Sequence, residues 1–502
     1  MSPTPHGLPR LAAVALCAAC ACAEAGESSV GAHVGLSVAH TDNVELANDG
    51  FGHSERVTDV RTGFNFSRSQ PRLEADVSYQ AEGVFYGKLQ DSDEVFHQLD
   101  AAGRFALISD RLFLDMFGVY GQTLVDPTQK YSVNNLAVTG NRMDVALLGV
   151  SPTIDLGIGE NVTGELSQGA TRVNYDSPTV QDSTERFVHF DLGNTGKRDG
   201  GSWTTRYSRE RFEYERSNTV ELENVEVDLG RWFRGGWRLF TTQGLESDYA
   251  GLEASGELDA GGLQQHYWYV GTNWQPDPRS DLEVSFGDRA FGQAHRFAFS
   301  RRFRGGGISI DYSEEPSTFL RDQIGAARVT GELAPIDSLD GANGNQLYLQ
   351  ERFNVALALA RAKSDVGFRV FDEKRFEIGT DLGSDTDPTE TRRGAEASFG
   401  WRLNSRTSLA ASAQVVNRFS VVNVVHDKLR YLSLQMRRRI GTKQSAYMNL
   451  SRESSWPSSD VSGENQYEQN YLVIGVERSF GADNSGGFSR RYAGYAGVGR
   501  VR

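Results

Sequence analysis

His189 and Asp191 stand two apart, a spacing that would set a base and its orienting carboxylate on one face of a β-strand. The same spacing serves a lumen histidine held in a polar network. That plainer role takes precedence, because nothing else catalytic accompanies the pair. The nine histidines form no His-x-x-x-His or His-Glu-x-x-His pair, so the sequence offers no helix-borne zinc site. It contains no Gly-x-Ser-x-Gly elbow and no phosphate-binding loop motif. Enzyme chemistry is therefore not expected, nor is a metal or cofactor. Oxygen-rich groups occur at Glu221-Leu222-Glu223, Glu226-Val227-Asp228 and Asp385-Thr386-Asp387. Such oxygens suit Ca²⁺, which would bridge to lipopolysaccharide at loop height, but solvated rim charge explains them with fewer assumptions. Asn161-Val162-Thr163 matches a glycosylation sequon in a short turn and reads as coincidence.

The remaining chemistry is charge. Arg206, Glu210, Arg296, Arg302, Arg352, Glu396, Arg402, Arg437 and Arg439 alternate with residues suited to an outward face. On strands with one face in lipid, these nine would line a wet interior. Rings of such charge select ions or guide an acidic polymer, and they also brace a wide barrel by cross-strand pairing. The sequence leaves both roles open.

What would position these residues is a succession of strands. Leu73, Ala75, Val77, Tyr79 and Ala81 alternate with Glu74, Asp76, Ser78 and Gln80, and Leu432, Leu434 and Met436 alternate with Ser433, Gln435 and Arg437. Phe297, Phe299, Phe303, Phe399, Trp401, Trp268 and Val270 fit the lipid-facing side. Tight turns near 69–71, 109–111, 157–159, 235–236, 305–307, 404–406 and 441–443 are separated by long polar loops. Those loops cover about 40–56, 124–141, 175–185, 247–263, 314–345, 373–391 and 455–466. Short turns at one end and long loops at the other are the asymmetry of a transmembrane β-barrel, with periplasmic turns and extracellular loops. The pattern predicts an all-β, single-chain antiparallel barrel of about 22 strands, within roughly 18–24. A soluble all-β protein would show a fixed repeat or less sustained alternation, and neither is found.

Composition narrows the classes further. Among 502 residues, 66 acidic against 52 basic side chains give a net charge of −14, with no basic footprint for nucleic acid. After residue 25 no apolar run is long enough for a membrane helix. Residues 1–25 read as a signal peptide, with Arg10, an apolar stretch Leu11 to Cys20, and small-residue cleavage sites ending at Ala23 or Ala25. All three cysteines, Cys17, Cys20 and Cys22, fall there, which excludes disulfide scaffolds and cysteine nucleophiles from the remainder. A lipoprotein anchored at Cys20 would lack the usual leucine three residues upstream. Residues 26–480 are expected to form the barrel and 481–502 a flexible periplasmic tail. Strands begin within about ten residues of the signal, leaving no segment for a plug domain. The lumen is then open, filled by a partner or closed by loops, and the segment from Pro316 to Asn345 is the loop best suited to constrict it.

Tyr471, Gly475 and Phe480 lie in a last strand that alternates apolar residues and ends on an aromatic. It resembles the signal by which the barrel-assembly machinery recognises outer-membrane clients, except that residues 481–502 follow it. A wider resemblance is carried, in order, by Thr41-Asp42-Asn43-Val44, Thr58 to Gly63, Gly140-Asn141-Arg142, Ser151-Pro152 and Tyr207 to Arg211. It continues through Trp274 to Leu282 and Phe297 to Tyr312, and ends on Ser313-Glu314-Glu315. These segments resemble the outer-membrane β-barrel family associated with PEP-CTERM/exosortase systems and exopolysaccharide gene clusters of Gram-negative bacteria. The resemblance implies an outer-membrane location and a porin-like, non-catalytic role near polysaccharide export or PEP-CTERM surface sorting. It transfers no functional residues. Expected partners are outer-membrane lipids and lipopolysaccharide, the barrel-assembly machinery during insertion, and an exopolysaccharide or its export machinery. The alternative is a closed structural barrel that anchors periplasmic or surface partners, with an outer-membrane hydrolase last.

Overall fold

In the computed structural model the alternating segments form 22 strands of one closed antiparallel sheet. The structure describes residues 27–481 apart from 49, 126–128, 160, 178–179, 195–199, 217–218, 248–262, 331–346, 379–387, 421–424 and 458–465. The signal peptide, residues 482–502 of the expected tail and the Asp385-to-Asp387 group lie outside the described residues, while Gly481, expected in the tail, is the last residue of the final strand.

The first hairpins are β1 (Glu27–Thr41), β2 (Glu55–Gln70), β3 (Leu73–Tyr86), β4 (Glu94–Ile108), β5 (Leu112–Leu124) and β6 (Arg142–Ile158). Next come β7 (Val162–Tyr175), β8 (Ser183–Asn194), β9 (Gly201–Tyr214), β10 (Val220–Phe233), β11 (Trp237–Ser247) and β12 (Leu263–Asp277). β13 (Ser280–Arg289), β14 (Gly292–Phe303) and β15 (Gly306–Thr318) lead into a helix, α1 (Phe319–Thr330). β16 (Leu347–Ala360), β17 (Ser364–Glu377), β18 (Glu390–Arg402) and β19 (Thr407–Ser420) follow it. β20 (Val425–Arg439), β21 (Gln444–Pro457) and β22 (Tyr467–Gly481) complete the sheet.

Each strand pairs with its sequence neighbours, and β22 returns to β1 with Tyr471 opposite Thr41 and Gly481 opposite Gly31. Closure leaves no edge, the condition for burying a sheet in lipid. Strands run from 10 to 17 residues, most of them longer than the roughly 9–11 that span a bilayer, so the ends of the longer ones stand clear of it. The turns at one end are tight. At Gly235 and Gly236, φ values of +82° and +76° let β10 reverse directly into β11, a conformation open to few other residues.

Outward positions carry the exposed large apolar side chains, among them Leu432, Leu434 and Met436 on β20 and Leu472, Ile474 and Val476 on β22. Phe399, Trp401 and Val270 lie outward as expected, and Trp268 packs edge-on against outward Phe286. The expected loop from 314 to 345 is different in kind. β15 carries the strand on to Thr318, and α1 begins at the next residue.

Candidate functional site

At 12 residues α1 is marginal as an isolated helix and holds its place through one buried face. Leu320, Ile324 and Ala327, spaced four and three apart, are 1–3% exposed. They pack on inward residues of β5 to β10, including Val119, Leu147, Val173, Phe212 and Leu222, and on Leu347 and Ile378. The Thr318 hydroxyl accepts a bond from the Arg321 backbone N–H at 3.1 Å and caps the first turn.

The polar residues of α1 then meet opposite charge on the wall. Arg321 Nε lies 2.9 Å from Glu210, whose other oxygen faces His189 Nε2 at 3.1 Å. Arg328 donates to Glu185 at 2.5 Å and to Thr171 at 3.0 Å, and stacks over Phe187. Asp322 faces Arg352 at 3.2 Å and Arg375 at 3.5 Å, and accepts from Tyr348 at 2.9 Å. The helix therefore lies inside the barrel at its long-loop end, latched to both sides of the arc it covers.

A second obstruction enters from elsewhere on the rim. The loop between β5 and β6 turns inward, and Glu453, fully buried on β21, accepts from the Ser132 hydroxyl at 2.8 Å and from the Tyr467 hydroxyl at 2.9 Å. The Val133 backbone N–H also points at it. Asn135 of this loop donates to Glu82 on β3, while Tyr131 packs beside Phe371, Val416 and Leu429 on β17, β19 and β20. The loop after β1 joins it through a Val138 N–H bond to the Val44 carbonyl, 2.8 Å. Replacing Glu453 by leucine strands these donors in a buried setting and is expected to destabilise the barrel by about 1–3 kcal/mol. Urea unfolding and proteolysis near 131–136 read the effect, and unchanged curves would show that the loop is held by other contacts.

The wall residues anticipated from alternation all occupy inward positions, but they do several different things. Glu210 and Arg352 hold α1. Arg206 bridges Glu226 at 2.6 Å and Asp191 at 3.3 Å. Arg437 donates to Glu477 at 2.9 Å, Glu396 accepts from Gln414 at 3.0 Å, and Arg296 lies over the Tyr269 ring. Arg302 and Arg402 bind the backbone carbonyls of Pro278 and Ala362 in the tight turns, and Arg439 stands exposed at the same end. The His189–Asp191 pair does not form. His189 turns to Glu210 and Asp191 to Arg206, because neighbouring strands offer closer partners than the same strand does. Glu226 and Asp228 face inward to Arg206 and Arg238, whereas Glu221 and Glu223 face outward to Arg209 and Tyr207. No group of three or more metal-ligating side chains occurs among the described residues.

Towards the tight-turn end, the inward face of β3 to β8 is acidic. Glu74, Asp76, Asp115, Asp155 and Glu165 surround Arg104, which lies 3.7 Å from Asp115 and 3.8 Å from Asp155. Arg321, Asp322, Arg328, Glu185, Arg375 and Glu453 were not singled out from sequence. The spacing of Leu320, Ile324 and Ala327 was the available signal for α1, and Glu453 carried none.

No family model and no curated protein matches the chain. Among solved structures, the ferric-catecholate import receptor Fiu from E. coli K12 superposes with a TM-score of 0.50 at 7% identity, covering 90% of this chain and 82% of the receptor. The siderophore receptor PirA from Pseudomonas aeruginosa gives 0.46 at 10% identity, over 91% of this chain and 81% of its own. OccAB1 from Acinetobacter baumannii gives 0.35 at 9% identity, over 91% and 97%. At these identities the likeness to Fiu is one of fold: the chain has the fold of an outer-membrane β-barrel.

Proposed function

We propose that this chain is a non-catalytic outer-membrane conduit of a Gram-negative bacterium, held shut by its own loops, that serves exopolysaccharide export or PEP-CTERM surface sorting. The observation that carries the conduit is a charged lumen whose extracellular half is occupied by α1 and two loops tied down by ion pairs and hydrogen bonds. Beside these contacts α1 buries one apolar face, so opening requires both the ion pairs and that face to part from the wall. The polysaccharide link rests on the sequence resemblance. The acidic arc on β3 to β8 repels a polyanion, so a neutral or cationic polymer suits this lumen better than an acidic one.

Deleting the gene is expected to lower cell-surface polysaccharide. Wild-type protein should restore it, and a variant with α1 cross-linked to the wall should not. Unchanged polysaccharide in the deletion strain would overturn the export role. The inward-packed loops also favour a second reading, a closed barrel that anchors partners. Restoration by the cross-linked variant would select it.

A further inference from the structure

We propose that the outer wall over β18 to β22 binds a phosphorylated glycolipid of the outer leaflet, the lipid A part of lipopolysaccharide, with Lys428 and Arg430 as its phosphate contacts. This rests on the outer-membrane reading and not on the conduit.

Across these five strands the outward face changes from apolar to polar along one stepped line. Ala395, Val415, Leu432, Leu450 and Leu472 end the continuous apolar band on the loop side, with only the aromatic rings of Phe419 and Trp456 exposed beyond it, as at a membrane interface. Two residues further towards the loops on the same strands stand Arg393, Asn417, Arg430, Arg452 and Asn470. The step descends across the registers Asn417 opposite Arg393, Arg430 opposite Val415 and Arg452 opposite Leu432. That is how a level membrane boundary crosses tilted strands. The polar line therefore marks the depth at which acyl chains give way to headgroups.

The charges on this line are unbalanced. Arg393 is paired with Asp372 at 3.0 Å and Arg452 with Glu468 at 2.7 Å, while Asp42 is bonded by Asn470. Those carboxylates are engaged. Lys428, one step above Arg430, and Arg430 itself have no carboxylate partner among the described residues. At the corresponding rim of β8 to β10 the outward arginines are matched instead, Arg209 by Glu221 at 2.7 Å and Arg211 by Glu213 at 3.1 Å. The β18 to β22 arc thus carries two positive charges that the β8 to β10 rim does not, and they sit where an outer-leaflet phosphate would lie.

The surface below it is shaped for chains. Ala397 stands opposite Ala413, and Phe399 opposite Ala411, so the wall between Phe399 and Leu432 is shallow. Straight acyl chains pack on such a bed without competing with a large side chain. A di-phosphorylated, multi-chain lipid satisfies both halves of the surface at once. A single-phosphate lipid with two chains would use less of it.

Native mass spectrometry of the refolded barrel, with added bis-phosphorylated lipid A, dephosphorylated lipid A or phosphatidylglycerol, tests the site. The wild type is expected to retain the bis-phosphorylated form preferentially, and Lys428→Gln with Arg430→Gln to lower the bound fraction at least about tenfold. Arg209→Gln with Arg211→Gln, on the balanced arc, should leave it unchanged. Arg430→Gln alone, at an exposed position, provides a second variant should the double one assemble poorly. Equal retention of the dephosphorylated lipid, equal retention of phosphatidylglycerol, or wild-type binding by the variants would each overturn the proposal. A barrel that retained no lipid of any kind would instead overturn the membrane reading on which the site depends.

Discussion

Excising residues 319–330 is expected to raise single-channel conductance in a planar bilayer at least about tenfold, because it removes the element that fills the lumen beside β5 to β10. A milder version isolates the latch. Replacing Arg321 and Arg328 together by glutamine leaves the helix in place but strands Glu210 and Glu185, whose side chains are only 11% and 3% exposed. Removing one partner of a fully buried ion pair costs about 3–5 kcal/mol. Here the arginines are about a third exposed, so roughly 1–3 kcal/mol is the appropriate scale. At about 1.4 kcal/mol per tenfold, that corresponds to a rise of roughly 5- to 100-fold in the time the helix spends away from the wall. Brief openings in the double variant and sustained ones in the excised barrel are the expected records. If the excised barrel conducts while the double variant stays silent, the ion pairs are not the latch and the apolar face of α1 is. Silence in both would favour the anchor.

The second large effect concerns assembly. Gly475→Leu is expected to abolish the heat-modifiable, folded band of the protein in gel electrophoresis and to deplete it from the outer membrane. A Cβ at position 475 would come within 2.5 Å of the Tyr447 ring on β21 and 2.8 Å of the Ser37 Cβ on β1. β22 is the strand that closes the barrel, so the obstruction acts on both of its partners at the closing step. Overpacking of this kind costs about 1–3 kcal/mol even where neighbours can relax. Tyr447→Ala should partly restore assembly by removing one of the two obstacles, and Gly475→Ala should be milder than the leucine. Wild-type assembly of Gly475→Leu would show that the ring swings aside freely and that closeness at this point does not govern closure.

Much of this architecture was legible in the chain because a strand records its environment every second residue. The outward run Leu432, Leu434, Met436 and the inward run Ser433, Gln435, Arg437 identify two solvents without reference to any other segment. The tight turns and long loops then assign the two ends. Position on the inward face was readable for Arg206, Glu210 and Arg352 for the same reason, but what each one touches was not. Glu210 could as well have braced its own wall. It turns to Arg321 because α1 happens to descend beside it.

The helix itself left a faint trace. Leu320, Ile324 and Ala327 repeat at helical spacing, yet twelve residues of such a pattern inside a polar stretch carry little weight until a surface exists to receive them. Glu453 left no trace, since its partner Ser132 lies 321 residues away. By itself the sequence determined a closed all-β barrel and the face on which each strand residue lies, because alternation is a local response to lipid on one side and water on the other. Only the tertiary structure decided which segments enter the lumen, α1 and the loop between β5 and β6, and where on the wall they are held. That outcome depends on buried charges and loop residues meeting across a ring that does not exist until its last strand has joined its first.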